Sequence, residues 1–217
     1  MGRRILRRID PSLDLSQHLK SLDELSSPFT SERGFGRTAP LEIEVGSGKG
    51  LFLQSISGAV PEHGFLGCEV SAKYAQFAAA KLARAQRSNA MLVHGDALRL
   101  FHEYLPDASA AAVHVYFPDP WWKKRHWRRR VMQEPFLKDV ERVLEPRGTL
   151  HFWTDVEEYF TNTLELIKQV TRLAGPFQVP ARDPAHDLDY RTHFERRMRL
   201  HHEAVYRAEF RREPDHA

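Results

Sequence analysis

The stretch Leu41-Glu42-Ile43-Glu44-Val45-Gly46-Ser47-Gly48-Lys49-Gly50 decides the fold of this 217-residue chain. Its first five residues favour a β-strand, and its glycines, spaced G-x-G-x-G, allow a tight turn into a helix that carries Leu51, Phe52, Leu53 and Ile56. A strand, a glycine turn and a helix in this order are typical of an α/β sheet that binds a nucleotide at its carboxyl edge.

Short strand-like runs alternate with helical stretches after this unit. The predicted strands are 64–70, one from 91, 111–117 and 149–154, and the predicted helices are 71–87, 135–144 and one that begins at Asp155. This alternation predicts a mainly parallel sheet with helices on both faces. The strand-like segments 194–199 and 204–210 are too close together for a crossover helix, so we expect them to form an antiparallel pair.

Length and composition favour one α/β domain, 41–217, preceded by an arm or lid, 1–40, that is basic at its start. No apolar run reaches the roughly 20 residues of a membrane span, and the N-terminus lacks the features of a secretory signal. The single cysteine, Cys68, excludes an internal disulfide and fits the reducing cytoplasm, where we expect the protein. The 12 histidines show no zinc-binding spacing, so we predict no metal site.

Acidic residues stand at three predicted strand ends. Glu44 precedes the glycine turn, where a carboxylate would repel a pyrophosphate and suit a cation. Glu69 lies about 20 residues further on, where an acid can accept hydrogen bonds from ribose hydroxyls, and Asp96 could accept one from an adenine amino group. Each acid alone could equally cap a helix or lie in a solvated turn. Together with Gly46, Gly48 and Gly50 they predict a site for S-adenosylmethionine, which is both cationic and adenosine-bearing.

The peptide Pro118-Asp119-Pro120 ends the strand 111–117 and holds a carboxylate between two fixed φ angles. In a doubly wound sheet this position lies beside the nucleotide crevice, so we expect Asp119 to face the methyl donor and its acceptor. Indoles and cations follow it, a combination that suits stacking on RNA bases and contacts with phosphates. These residues are Trp121, Trp122, Lys123, Lys124, Arg125, His126, Trp127, Arg128, Arg129 and Arg130.

The segment Phe117-Pro118-Asp119-Pro120-Trp121-Trp122-Lys123-Lys124-Arg125-His126 closely resembles the signature of the bacterial tRNA (guanine-N7-)-methyltransferase family, often called TrmB. The likeness extends over roughly 41–211 and includes 44–50, 66–70, 154–155 and 192–195. The resemblance implies a class I S-adenosylmethionine-dependent methyltransferase (Rossmann-like) fold, with a mainly parallel seven-stranded sheet and an antiparallel C-terminal hairpin. It implies methyl transfer to N7 of a guanosine in the tRNA variable loop.

The resemblance also assigns roles to individual residues. Glu44, Glu69, Asp96 and Asp119 would contact the donor, and Asp119 would also be the catalytic residue. The tRNA guanosine would be held by Lys123, Asp155, Thr192, His193, Phe194 and Glu195. Trp122 departs from the family, which usually has a proline or histidine there. The expected partner is tRNA, with no membrane and no obligate protein partner.

Two other functions compete with this interpretation. Methyltransferases that modify exocyclic nitrogens of adenine or cytosine usually carry two adjacent prolines after this strand, whereas Asp119 separates Pro118 from Pro120 here. A non-catalytic RNA-binding protein on the same fold would be expected to have lost one of the cofactor acids, and none is missing. Guanine N7 has a free in-plane lone pair and no proton, so Asp119 need not act as a general base.

Overall fold

The structure, a computed structural model, describes residues 6, 8–179, 192–201 and 203–214. The strands are β1 (Leu19–Ser21), β2 (Leu41–Val45), β3 (Gly64–Glu69), β4 (Ala90–His94), β5 (Ala110–Tyr116), β6 (Leu144–Thr154), β7 (Ala174–Gln178) and β8 (Tyr206–Arg211). The helices are α1 (Ser31–Phe35), α2 (Leu51–Ala59), α3 (Ala72–Arg84), α4 (Ala97–Glu103), α5 (Glu134–Val143), α6 (Glu157–Val170) and α7 (His193–Leu200). Two 3-10 helices span Leu22–Glu24 and Lys124–Arg129.

The strands form one sheet in the order β1-β4-β3-β2-β5-β6-β8-β7. The pairs from β1 to β6 are parallel, and β8 runs antiparallel to both β6 and β7. This topology confirms the class I methyltransferase sheet with its antiparallel C-terminal end. The strand order reverses around β2, which lies between β3 and β5, so the loops after these three strands open into one crevice.

The predicted strand 194–199 is wrong, because this segment lies within α7. The hydroxyl of Thr192 accepts a hydrogen bond of 3.0 Å from the backbone N–H of Glu195, which caps the start of the helix. Glu195 and Met198 are both buried, and their separation of three residues matches a helical face. The partners of β8 are instead β6 and β7, and β7 was absent from the predicted strands.

The sheet also has one more strand than the seven expected, because β1 lies within the segment predicted as an arm. Its residues pair in parallel with Leu92–His94 at the edge of the sheet. Leu22, Leu25 and Phe29, which follow it, belong to the main hydrophobic core. A strand of three residues has too few positions to show an alternating pattern, which is why the sequence did not reveal it. The boundary at residue 40 stays a prediction.

Two apolar layers cover the sheet. Phe52, Leu53, Ala78 and Leu82 from α2 and α3 pack on one face. The other face carries α4, α5 and α6, whose buried residues meet the β5 and β6 side chains. This packing fixes the strands from which the crevice loops emerge. No helix in the described ranges has the length and apolar character needed to cross a membrane.

Candidate active site

The glycine turn after β2 is open at its first two glycines and packed at its third. Gly46, Gly48 and Gly50 all have left-handed φ angles, of 78°, 53° and 65°. A Cβ atom on Gly46 would meet nothing within 4 Å, and one on Gly48 only the Gly46 carbonyl oxygen at 3.9 Å. A Cβ atom on Gly50 would lie 2.6 Å from that of Ala78 in α3. Gly46 and Gly48 therefore leave room for a ligand, while Gly50 allows two helices to approach.

Glu69 connects this turn to the start of α3. Its carboxylate is buried and accepts 2.8 Å hydrogen bonds from the backbone N–H groups of Gly48 and Ser71. Each carboxylate oxygen has more than one lone pair, so both can accept a further hydrogen bond from a ribose hydroxyl. Val70, the next residue, is 75% exposed and places apolar surface beside the carboxylate. The predicted ribose ligand thus stands in a fixed position at the mouth of the crevice.

Glu44 is the most unusual carboxyl group in the crevice. It is 3% exposed, and its Oε2 atom has no hydrogen-bond partner in the described part of the chain. Burial raises the pKa of Glu44 to about 8, the nearby Ser47 hydroxyl opposes this shift, and the Glu69 carboxylate adds to it. A buried carboxylate oxygen without a partner is costly, so this position suits a ligand that brings a positive charge.

Asp96 and Cys68 complete the donor side of the crevice. Asp96 is exposed and caps α4 by accepting a 2.8 Å hydrogen bond from the backbone N–H of Leu98 through Oδ1. Burial raises the pKa of the Cys68 thiol well above its usual range, and the carboxylates of Glu69 and Asp96 add to this effect. Asp96 therefore has the helix-capping role of an acid at this position, and contact with an adenine stays a prediction. Cys68 is an unreactive buried residue.

The motif loop, Phe117–Trp121, leaves β5 in a strained conformation. Phe117 and Trp121 have left-handed φ angles of 50° and 44°, which bulky side chains rarely adopt. The backbone N–H of Phe117 donates a 2.8 Å hydrogen bond to the Trp153 carbonyl oxygen in β6, which holds the start of the loop. Asp119 lies between these two residues and is exposed. Strain of this kind persists only where the surroundings fix it, and it concentrates at functional sites.

The loop continues into a turn rich in cations and indoles, which we call the cationic turn, 122–129. Lys123 precedes its 3-10 helix and is exposed. The Trp122 side chain is 70% exposed. Arg129 lies over the Trp121 ring at 5.1 Å and Lys124 over the Trp127 ring at 6.0 Å. The predicted mixture of accessible rings and cations is therefore present beside Asp119.

Arg130 differs from the cations before it. The sequence grouped it with the phosphate-binding residues, but its guanidinium carbon lies 4.5 Å from the centre of the Trp127 ring and 4.7 Å from that of Tyr159. Its Nε–H donates a 2.7 Å hydrogen bond to the Pro120 carbonyl oxygen. A run of consecutive arginines carries no signal that separates this residue from its neighbours.

Helix α7 brings the predicted C-terminal residues to the motif loop. The ring of Phe194 lies 4.9 Å from that of Phe117. Glu195 is buried, and its Oε1 atom is 3.3 Å from Nη2 of Arg207, whose guanidinium lies over the Trp153 ring. Thr192 caps the helix. The His193 side chain lies outside what the structure describes.

Asp155 directly follows β6, as the loop with Asp119 follows β5. These two strands are parallel and Tyr116 pairs with Trp153, so Asp155 and Asp119 lie at the same edge of the sheet. Binding of a guanosine by these C-terminal residues, by Asp155 and by Lys123 stays a prediction.

The chain matches a protein family described as putative methyltransferase over residues 38–208. A tRNA (guanine-N(7)-)-methyltransferase of Rhodopirellula baltica is 47% identical over 98% of this chain and 80% of its own length. One of Paracidovorax citrulli is 37% identical over 88% of this chain and 76% of its own length. The chain belongs to the tRNA (guanine-N7-)-methyltransferase family. This membership confirms the resemblance of the segment 117–126.

A solved structure of an antibiotic related methyltransferase agrees with the fold of this family member. Its TM-score is 0.60 over 86% of this chain and 96% of its own, with 14% sequence identity. At this identity the likeness concerns the fold alone. It supports the class I arrangement of the sheet.

Proposed function

We propose that this chain transfers a methyl group from S-adenosyl-L-methionine to N7 of a guanosine in the tRNA variable loop, giving 7-methylguanosine. One observation carries the proposal. The Asp119 loop stands at the same sheet edge as the glycine turn and continues directly into the cationic turn. A donor held by the glycine turn and a base held by the cationic turn would therefore meet at Asp119.

The residues of the crevice fit this donor. Glu44 has a buried oxygen without a partner in the described residues, which suits the donor's positive charge. The open backbone at Gly46 and Gly48 leaves space for its amino-acid portion. Glu69 would accept from the ribose hydroxyls and Asp96 from the adenine amino group. When bound, the donor supplies a methyl group that is electrophilic because it is attached to a positively charged sulfur.

The chain's own contribution is alignment and charge stabilisation. Guanine N7 needs no deprotonation, so Asp119 would orient the base and stabilise the positive charge that develops on the purine. Correct alignment of two reactants can supply about 7–11 kcal/mol. Asp155 follows β6 at the same sheet edge and would share this role. Glu195 already pairs with Arg207, so it would act by holding α7 beside the loop.

The target base must leave its tertiary contacts in folded tRNA, which costs on the order of a few kcal/mol. Phosphate contacts by the cationic turn and stacking on its exposed indole would offset this cost. We place the reaction in the cytoplasm, because the lone buried thiol suits a reducing compartment. We expect the reaction to need neither a membrane nor an obligate protein partner.

The test is methylation of unmodified tRNA with labelled donor, followed by mapping of the modified base. We expect 7-methylguanosine at one position of the variable loop, and none in a matched tRNA in which that guanosine is replaced by adenosine. Label on an exocyclic nitrogen of adenine or cytosine would instead support the first competing function. Binding of tRNA without binding of the donor would support a non-catalytic RNA-binding protein.

A further inference from the structure

Arg130 stands between the motif loop, the cationic turn and the core, and makes contact with all three. We propose that Arg130 is a positioning residue that fixes the backbone beside Asp119 and thereby sets where its carboxylate points, rather than a phosphate contact. The inference rests on the proposed methyl transfer. It concerns a residue that the sequence pattern alone would group with the phosphate contacts.

The first contact fixes the loop itself. The Arg130 Nε–H donates to the carbonyl oxygen of Pro120, the residue directly after Asp119, at 2.7 Å. This carbonyl belongs to the peptide bond that enters Trp121, which has the left-handed φ of 44°. A bulky residue keeps such a conformation only where other contacts hold it. The hydrogen bond from Arg130 is a contact of this kind, and it holds the Pro120–Trp121 peptide bond, one residue beyond Asp119.

The second and third contacts hold the guanidinium between two rings. Its carbon lies 4.5 Å from the Trp127 ring centre and 4.7 Å from that of Tyr159. Tyr159 belongs to α6, is buried, and packs edge-on against Phe152 of β6. The loop is therefore anchored through Arg130 to the main core. Arginine is suited to this role, since a planar guanidinium can stack on rings while it donates in its own plane, and a lysine ammonium cannot.

The backbone of Arg130 is also held in place. Its N–H donates a 2.9 Å hydrogen bond to the Trp127 carbonyl oxygen. The Gln133 side-chain amide donates to the carbonyl oxygens of Arg128 and Arg130. The Arg130 side chain is thus held at both ends, by the hydrogen bonds of its own backbone and by the two rings that enclose its guanidinium. The neighbouring Arg128 is exposed, which gives a matched cation in the same turn.

The electrostatics place Asp119 within range of the same ring. Burial is the main cause that raises the pKa of Tyr159 to about 12, while the Arg130 charge lowers it and the Asp119 charge raises it. Both charges therefore act on one phenol. Arg130 contacts the residue that directly follows Asp119, as a positioning role requires.

The first test compares Arg130→Lys, which keeps the charge, with Arg128→Ala, which removes an exposed charge from the same turn. A displacement of about 1 Å at a reacting centre can cost on the order of 100-fold in rate. For Arg130→Lys we expect kcat for total methyl transfer to tRNA to fall roughly 10- to 100-fold, with unchanged dissociation constants for donor and tRNA. For Arg128→Ala we expect weaker tRNA binding and a smaller change in kcat. A kcat of Arg130→Lys within about twofold of the unaltered chain would overturn the proposal.

The second test changes Tyr159, one of the two rings that enclose the Arg130 guanidinium, and it remains informative if Arg130 variants do not fold. Tyr159→Phe keeps the ring face that stacks on the guanidinium and removes only the hydroxyl, so kcat should stay within about twofold. Tyr159→Leu removes the ring and should lower kcat as Arg130→Lys does. Equal kcat values for the two Tyr159 variants would contradict the proposal. Because total methyl transfer is counted, a product other than 7-methylguanosine would overturn the proposed function and leave this comparison valid.

Discussion

The rings of Phe117 and Phe194 lie 4.9 Å apart, so the first residue of the motif loop packs against the first turn of α7. Phe117 also has a left-handed φ angle. The contact makes α7 part of the wall that supports Asp119. In the proposed reaction, the C-terminal helix would influence the rate through this contact even where its side chains do not touch the substrate.

Replacing Phe194 by alanine should therefore slow catalysis without affecting donor binding. An aromatic pair contributes about 0.5–1.5 kcal/mol beyond its buried area, which corresponds to roughly 2- to 10-fold in rate if it is lost in the reactive geometry. Steady-state kinetics with saturating donor and tRNA would measure this. Leu200→Ala, at the exposed end of the same helix, is the matched control. Equal kcat values for the two variants would contradict a link between α7 and the loop.

Asp119→Asn and Asp119→Ala should lose most activity while keeping the fold. The side chain is exposed, so the free energy of unfolding should change by no more than about 0.5 kcal/mol. Loss of one group that stabilises developing charge typically lowers kcat by roughly 100- to 1000-fold. Single-turnover methylation would measure the rate, and thermal unfolding would check the fold. An Asp119→Asn rate close to that of the unaltered chain would show that the carboxylate charge is not needed.

Glu44 should release a proton when the donor binds. Its pKa of about 8 in the folded chain means that it is protonated at pH 6.5, and the donor's positive charge would favour the carboxylate. Calorimetry at pH 6.5 in two buffers of different ionisation enthalpy should show release of up to about one proton. The Glu44→Gln variant should release none and bind the donor more weakly. Equal heats in both buffers for the unaltered chain would contradict this linkage.

The same group makes a prediction about stability without donor. Because the folded-state pKa of Glu44 lies above the ordinary value of 4.5, its contribution is fully present below pH 4.5 and is lost as pH rises towards 8. The free energy of unfolding of Glu44→Gln should fall less over this range than that of the unaltered chain. Denaturant titrations at several pH values would measure the difference. Parallel pH profiles for the two chains would contradict the burial argument.

The contributions of charge and of base stacking in the cationic turn to tRNA affinity should differ in their dependence on salt concentration. Each phosphate contact adds roughly 0.7–0.9 to the slope of log affinity against log salt concentration. Lys124→Gln should therefore weaken tRNA binding and reduce that slope. Trp122→Ala removes an exposed indole and should cost about 1–3 kcal/mol with the slope unchanged. Filter-binding titrations at several salt concentrations would measure both. A flat salt dependence of the unaltered chain would contradict phosphate binding by this turn.

The strand ends that carry the predicted donor ligands could be predicted from sequence because their signals are local. Gly46 directly follows β2, Glu69 is the last residue of β3 and Asp96 comes two residues after β4, and parallel strands bring their ends together. The sequence could not show the direction in which side chains turn. Arg130 is indistinguishable from Arg129 in a run of cations, and only the positions of Trp127 and Tyr159 determine its contacts.

The helix α7 was predicted as a strand for a related reason. Phe194, Met198 and Leu200 are apolar with polar residues between them, which can be taken for a period of two as well as for a helical period. The cap from Thr192 and the contact with Phe117 decide in favour of the helix, and neither is a property of the segment 194–199 alone. Predictions from short segments fail where contacts distant in sequence decide the structure.

The three-residue strand β1 also changes how this sheet meets other protein molecules. Without it, the backbone N–H and C=O groups of Leu92–His94 would form an open edge, which is a template for pairing with a second chain. A short strand that ends at once in the buried Leu22 closes this edge and offers little length for further pairing. We therefore expect the N-terminal segment to protect the protein against edge-to-edge aggregation. Shortened chains that lack β1 should lose solubility even where every residue of the crevice is retained.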